Sequence, residues 1–156
     1  MKVSDLMDEK LVFLDVPGNS RREVITNIVR KVAEATGELK NPERFTNEVL
    51  DRERLGSTGI GDEVAIPHAR TTLVDRILVV FARTEKPVDF ESLDGKPVRY
   101  IFLMAVPIKE LRSYLATLAT ISRLVKNKSL RKVFQTARTS AELLNGIRDA
   151  EQEISG

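Results

Sequence analysis

The segment Gly56–Arg70, GSTGIGDEVAIPHAR, holds the only histidine of the chain, His68, directly behind a proline and a glycine-rich turn. An imidazole in such a place can be a buried hydrogen-bonding residue, a general base, or a nucleophile that receives a group. Glycines 56, 59 and 61 do not follow the dinucleotide fingerprint, and no Gly-Lys-Ser/Thr completes a nucleotide P-loop. What the turn offers is chain freedom: glycines allow positive φ, so that successive N–H groups around Gly59 can converge on one anion. Ser57 and Thr58 add hydroxyl donors to the same turn. Arg52 and Arg54 precede it near the end of a helix, and a guanidinium grips phosphate oxygens in a bidentate way. Pro67 stiffens the backbone beside the ring. These types describe a phosphate cradle around a nitrogen nucleophile, and phosphoryl transfer asks for little more than in-line geometry and charge neutralisation. A hydrolase using Ser57 or Thr58 with His68 as base would also need an orienting carboxylate and an oxyanion hole, which no spacing identifies. Asp62 and Glu63 would repel an incoming anion and are expected to face solvent. Arg70 could meet the phosphate, a partner or a surface acid.

The bulk composition bounds the alternatives. A chain of 156 residues is one ordinary domain, and its 42% hydrophobic and 31% charged residues are those of a globular protein. Cysteine is absent, so disulfide and thiolate chemistry are excluded, and a cytoplasmic location is expected. With one histidine and no cysteine a zinc site is not expected, although carboxylates could still hold a harder ion, and no cofactor is expected. The net charge of +2 is spread over interspersed acids and bases, and aromatic residues are only 5%. Neither feature suggests a nucleic-acid surface. The longest apolar run, Tyr100–Ile108, contains a proline and is far too short to cross a membrane, and the acidic N-terminus is unlike a signal peptide.

The elements that must position the segment are legible in the pattern. Leu11–Val16 is an apolar stretch closed by Pro17-Gly18. Ser20 and Glu23 have capping-box spacing ahead of Val24, Ile25, Ile28, Val29 and Val32, with Gly37 as the stop. Asn41-Pro42 opens a second helix that ends near Leu55-Gly56. Val64–Pro67 reads as a short strand, Ile77–Ala82 and Val98–Pro107 as buried central strands, and Asp94-Gly95 as a turn. Leu111, Leu115, Leu118, Ile121 and Val125 describe a helix over Glu110–Lys126. Two shorter helices follow, started by Ser129 and by a Thr139–Glu142 capping box. The expected architecture is an α/β sandwich in a single domain spanning residues 1–156.

DRERLGSTGIGDEVAIPH resembles the active-site segment of the type-2 enzyme IIA domains of the bacterial phosphoenolpyruvate-dependent phosphotransferase system (fructose, mannitol and nitrogen-regulatory branches). KPVDFESLDGKPVRYIFLMAVP resembles the region that follows it, and the likeness runs over roughly residues 4 to 150. The resemblance implies a mixed, mostly buried sheet flanked by helices on both faces. It implies a phosphocarrier, a phosphotransferase component with a phosphohistidine intermediate rather than a stand-alone enzyme, in which Nε2 of His68 takes a phosphoryl group from the carrier HPr. Arg52 takes the place of the family's phosphate-facing arginine, Ser57, Thr58 and Gly59 those of its loop, and Arg54 is a possible support. The family commonly has a second histidine on the helix after the VP segment, where this chain has Tyr114. A neutral phenol can donate to a phosphate oxygen but holds a dianion less strongly than an imidazolium. Slower transfer or another partner preference is the expected consequence. The onward partner is either a regulatory target, in the nitrogen-related branch, or a sugar-specific IIB domain. The free-standing chain favours the regulatory reading.

Overall fold

The computed structural model describes residues 2–155. Two short 3-10 turns lead into strand β1 (Val12–Val16), helices α1 (Arg21–Ala35) and α2 (Pro42–Leu55), and three short strands β2 (Gly59–Gly61), β3 (Val64–Ala65) and β4 (His68–Thr71). Two long strands follow, β5 (Leu78–Val88) and β6 (Val98–Pro107), and then helices α3 (Leu111–Leu124), α4 (Lys128–Thr136) and α5 (Ser140–Ser155).

The strands form one mixed sheet in the order β1-β5-β6-β3-β2, with β4 also bonded to β6. β5 and β6 pair antiparallel at its centre, and β1 lies parallel to β5. The other side of β6 is taken by β3 and β4 in series, both parallel to it, with Val64 opposite Tyr100 and His68 opposite Met104. The break between them is Ile66-Pro67. Proline has no N–H to give, so it suits an interruption on a sheet edge. Its carbonyl still accepts from Met104 N at 3.0 Å, while Ile66 N turns aside to Thr58 O at 3.0 Å. The strand thus stops and restarts one residue before the histidine.

Helices cover both faces, as expected. Val24, Ile25, Ile28 and Val32 of α1 and Phe45 and Val49 of α2 pack on one face with Val80, Ala82, Ile101 and Leu103. Ile121, Leu124, Phe134, Leu143 and Ile147 of α3–α5 pack on the other with Val79, Phe81, Phe102 and Met104. Alternation along β5 and β6 supplies both cores from the same two strands.

The caps follow the sequence with small shifts. Ser20 Oγ accepts from Glu23 N at 3.1 Å and Asn41 Oδ1 from Arg44 N at 3.1 Å. α1 ends at Ala35 with Thr36 as its C-cap and Gly37 directly after it. α4 begins at Lys128, one residue before the expected Ser129, because Asn127 Oδ1 reaches Leu130 N at 2.9 Å and caps the first turn. α5, with 16 residues, is longer than α3 rather than a short helix. At the other end of α4, buried Arg83 donates to Phe134 O at 3.1 Å and Ala137 O at 2.8 Å while pairing with Asp15 at 3.1 Å. A cation there satisfies orphan carbonyls and suits the negative end of the helix dipole.

Candidate functional site

His68 opens β4 with its ring on the α3 side of the sheet and 6% of its surface exposed. Nδ1 lies 2.8 Å from Ile66 O. A carbonyl can only accept, so Nδ1 carries the proton and the neutral ring keeps its lone pair on Nε2. That lone pair accepts the Tyr114 hydroxyl at 2.8 Å, with the two ring centroids 5.3 Å apart. Tyr114 therefore sits on the reactive nitrogen, although 46 residues separate the two in sequence. The ring opens into a cleft of about 420 Å³ lined by Glu48, Arg52, Leu55, Arg70 and Tyr114.

Burial is the main reason that the His68 imidazole titrates below its usual value of about 6.5, because a charged ring would lose hydration. The Ile66 carbonyl opposes this, the Arg52 charge adds to it, and the Glu53 carboxylate opposes it. The ring is thus a neutral base and nucleophile at pH 6.5 and above. As pH falls below 6.5 an unfolded chain takes up the proton before the folded one does, so the stability due to this group is full above 6.5 and declines below it. The single imidazole resonance is expected to titrate with a midpoint below 6.5, and in Arg52→Gln the midpoint moves upward. A wild-type midpoint at or above 6.5 would contradict this geometry.

Arg52 lines the cleft from the last turn of α2, with Nη1 donating to Gly56 O at 2.8 Å. Arg70, also in the cleft, donates to Ile108 O at 2.7 Å. Arg54 does not line the cleft but pairs with Asp51, an exposed carboxylate of α2 that does. The glycine turn is organised around a residue that sequence reasoning passed over. Glu53 is 4% exposed, accepts from the Thr58 hydroxyl and from Thr58 N at 3.3 Å, and faces Arg21 at 3.4 Å. Ser57 donates its hydroxyl to Phe90 O and accepts from Gly59 N at 2.9 Å. Gly59 must lack a side chain, since a Cβ there would lie 3.0 Å from Ser92 Cα. His68, Arg52 and Tyr114 are thus brought together. Ser57, Thr58 and Gly59 form the corner behind them, with these donors engaged by the protein. Of the two acids at the hairpin tip, Asp62 is exposed, whereas Glu63 pairs with Arg131 at 3.4 Å.

Leu55 gives the cleft an apolar edge, and further apolar side chains are exposed at the start of α3. Leu55 is 86% exposed, and Ile108, Leu111 and Leu115 stand about half exposed on the neighbouring end of α3. Leu111 and Leu115 continue the helical period that buries Ile121, yet they stand exposed instead of entering the core. Their signal in the sequence was an apolar stripe longer than the core could cover.

Residues 5–150 match the family model described as "Phosphoenolpyruvate-dependent sugar phosphotransferase system, EIIA 2". The chain belongs to this family. Among its relatives, a nitrogen regulatory protein of Bradyrhizobium diazoefficiens is 34% identical over 138 residues, 88% of this chain and 89% of that one. The fructose-specific EIIABC component of Bacillus subtilis is 31% identical over 147 residues, which are 94% of this chain but 23% of that one. The crystal structure of IIA-Ntr from Neisseria meningitidis superposes with a TM-score of 0.84 at 28% identity, covering 93% of this chain and 98% of that one. The IIA of mannitol from Escherichia coli, in complex with phosphorylated IIB, shares the fold with a TM-score of 0.76 at 19% identity, over 92% of this chain and 99% of that one. This EIIA domain has no helix among its described residues that is long and apolar enough to cross a membrane.

Proposed function

We propose that this EIIA protein is a cytoplasmic phosphocarrier that accepts a phosphoryl group from an HPr-type donor on Nε2 of His68. The observation that carries the reading is the pair of bonds that fixes the tautomer: Nδ1–H to Ile66 O and the Nε2 lone pair toward the cleft. Nε2 attacks phosphorus in line, the bond from phosphorus to the donor imidazole breaks, and its electron pair stays on the donor ring. The positive charge that appears on His68 is spread toward the Ile66 carbonyl. Arg52 balances the charge on the transferring oxygens, helped by Arg70 from the opposite wall. Tyr114 releases Nε2 and donates to a phosphoryl oxygen. Ser57, Thr58 and Gly59 act mainly by holding the corner that carries Arg52. Their own donors would reach the phosphate only by exchanging the partners they have. Arg54 acts from outside as a positive charge. The exposed apolar side chains of Leu55, Ile108, Leu111 and Leu115 are the surface on which partner proteins dock.

The test is incubation with phosphoenolpyruvate, enzyme I and HPr, followed by phosphorus NMR. An acid-labile signal characteristic of Nε2-phosphohistidine is the expected result, and a chain that stays unlabelled would refute the reading. Tyr114→His, which adds a cation beside the phosphoryl oxygens, is expected to raise the transfer rate several-fold in rapid-quench measurements. An unchanged rate would remove Tyr114 from the mechanism.

For the onward step we favour a regulatory role in the nitrogen-related branch. The 34% identity to a nitrogen regulatory protein over nearly the whole of both chains supports it, as does the fit to IIA-Ntr. The likeness to the fructose-specific component keeps a second reading, in which the phosphoryl group passes to a IIB domain during sugar uptake. Rapid transfer from the labelled protein to a purified fructose-type IIB domain would favour that second reading, and retention of label would favour the first.

A further inference from the structure

A second concentration of charge lies away from His68. Lys128, Arg131 and Lys132 of α4 and Arg99 of β6 surround a cavity of about 410 Å³, with Tyr100 in its wall and Glu63 as its one lining carboxylate. The fold builds this arrangement from an irregularity in β6. Val98 belongs to the α1–α2 core and Tyr100 to the opposite one, so the alternation slips between them. Arg99 N and Tyr100 N both donate to Glu63 O at 3.0 Å, and a bulge of this kind re-aims side chains. Arg99 is thereby brought to the wall that Tyr100 occupies. Glu63 itself is held at φ 68 in the hairpin tip, and its carboxylate lies 3.4 Å from Arg131 Nη2.

Three observations leave the positive charge here unbalanced. The Arg131 guanidinium lies 5.9 Å from the centre of the Tyr100 ring, and its Nη1 is buried without a hydrogen-bond partner. A buried donor left unpaired is costly, and an acceptor entering the cavity would relieve it. The first turn of α4 holds Lys128 and no acid, at the end of the helix where the dipole favours an anion. Four cations, finally, face a single carboxylate.

The geometry points to an anion-binding site for a diphosphate group, either inorganic pyrophosphate or the diphosphate end of a nucleotide. The surplus of three positive charges exceeds what orthophosphate carries and suits two adjoining phosphoryl groups. The arginine forks provide directed donors and the lysines point charges. The site is distinct from the His68 cleft: Tyr100 and Met104, the β6 residues opposite Val64 and His68, are separated by roughly 13 Å of strand.

Calorimetric titration at fixed ionic strength with inorganic pyrophosphate, orthophosphate and adenosine or guanosine diphosphate tests the assignment. Pyrophosphate is expected to bind at least tenfold more tightly than orthophosphate. Its affinity should fall at least tenfold in Lys128→Gln/Arg131→Gln and stay unchanged in Arg52→Gln, which alters the other cleft. A nucleoside diphosphate that binds more tightly than pyrophosphate identifies the nucleotide as the source, and one that binds less tightly identifies the free anion. If the Arg131 variant does not fold, Lys128→Gln/Lys132→Gln decides: both lysines are exposed, the Arg131–Glu63 pair is kept, and a several-fold loss at an unchanged melting temperature is expected. Equal affinity for pyrophosphate and orthophosphate, affinity that survives the charge removals, or affinity lost in Arg52→Gln would overturn the proposal.

Discussion

Replacing His68 with alanine is expected to abolish the acid-labile phosphorus signal outright, not to weaken it. The chain has no second imidazole and no cysteine to take over the nucleophilic role. The hydroxyl nearest the site, that of Tyr114, would give an acid-stable ester, and those of Ser57 and Thr58 are committed to Phe90 O and Glu53. The fold should survive, because the ring contributes two hydrogen bonds at the sheet edge, each worth about 1 kcal/mol. A cooperative thermal melt close to that of the wild type separates loss of chemistry from loss of structure. A variant that still took up label would move the phosphoryl site elsewhere and end the proposed mechanism.

The second large effect is expected at Arg52. Arg52→Gln should slow phosphoryl transfer from the donor by roughly 100-fold, the size of losing one donor that faces developing charge. Two consequences of one cation are removed together. The first is neutralisation of the phosphoryl oxygens. The second is the depression of the His68 titration, to which Arg52 contributes after burial. Glutamine keeps a donor for Gly56 O, so the turn itself should hold. Measuring the rate at pH 8 isolates the first contribution, because the ring is neutral there in either protein. A loss of less than about threefold at that pH would show that Arg52 is structural.

What the sequence disclosed depended on distance along the chain. The two-face sandwich followed from local patterns: a Ser20–Glu23 box, an Asn41-Pro42 start and two runs of β-branched and aromatic residues. Each of these acts within a few residues, so tertiary packing did not overrule it. Boundaries were less secure where two good caps competed, as at Asn127 and Ser129, and the residue whose side chain reached a free N–H decided the start. In the site, Arg52 and His68 lie close in sequence and their types were informative. Tyr114 was found only through the family resemblance, because a contact across 46 residues leaves no local trace. In the glycine turn, the partners already present left no trace in the sequence. Ser57, Thr58 and Gly59 read as donors open to an anion, but the Thr58 donors meet Glu53, hidden in a run of charges that reads as solvated surface. Ser57 donates to Phe90 O, and Gly59 N donates to Ser57 Oγ. The cations at 99, 128, 131 and 132 were invisible for the same reason: interspersed charge shows no patch until a bulge and a helix face bring it together.

His68 is borne by backbone hydrogen-bonded into the sheet, whereas the group that covers it is a single side chain at the start of α3. Uncovering the nitrogen therefore calls for a turn of one phenol and no rearrangement of the sheet. In the mechanism proposed above, the phenol would shield the resting ring from adventitious electrophiles until a partner docks.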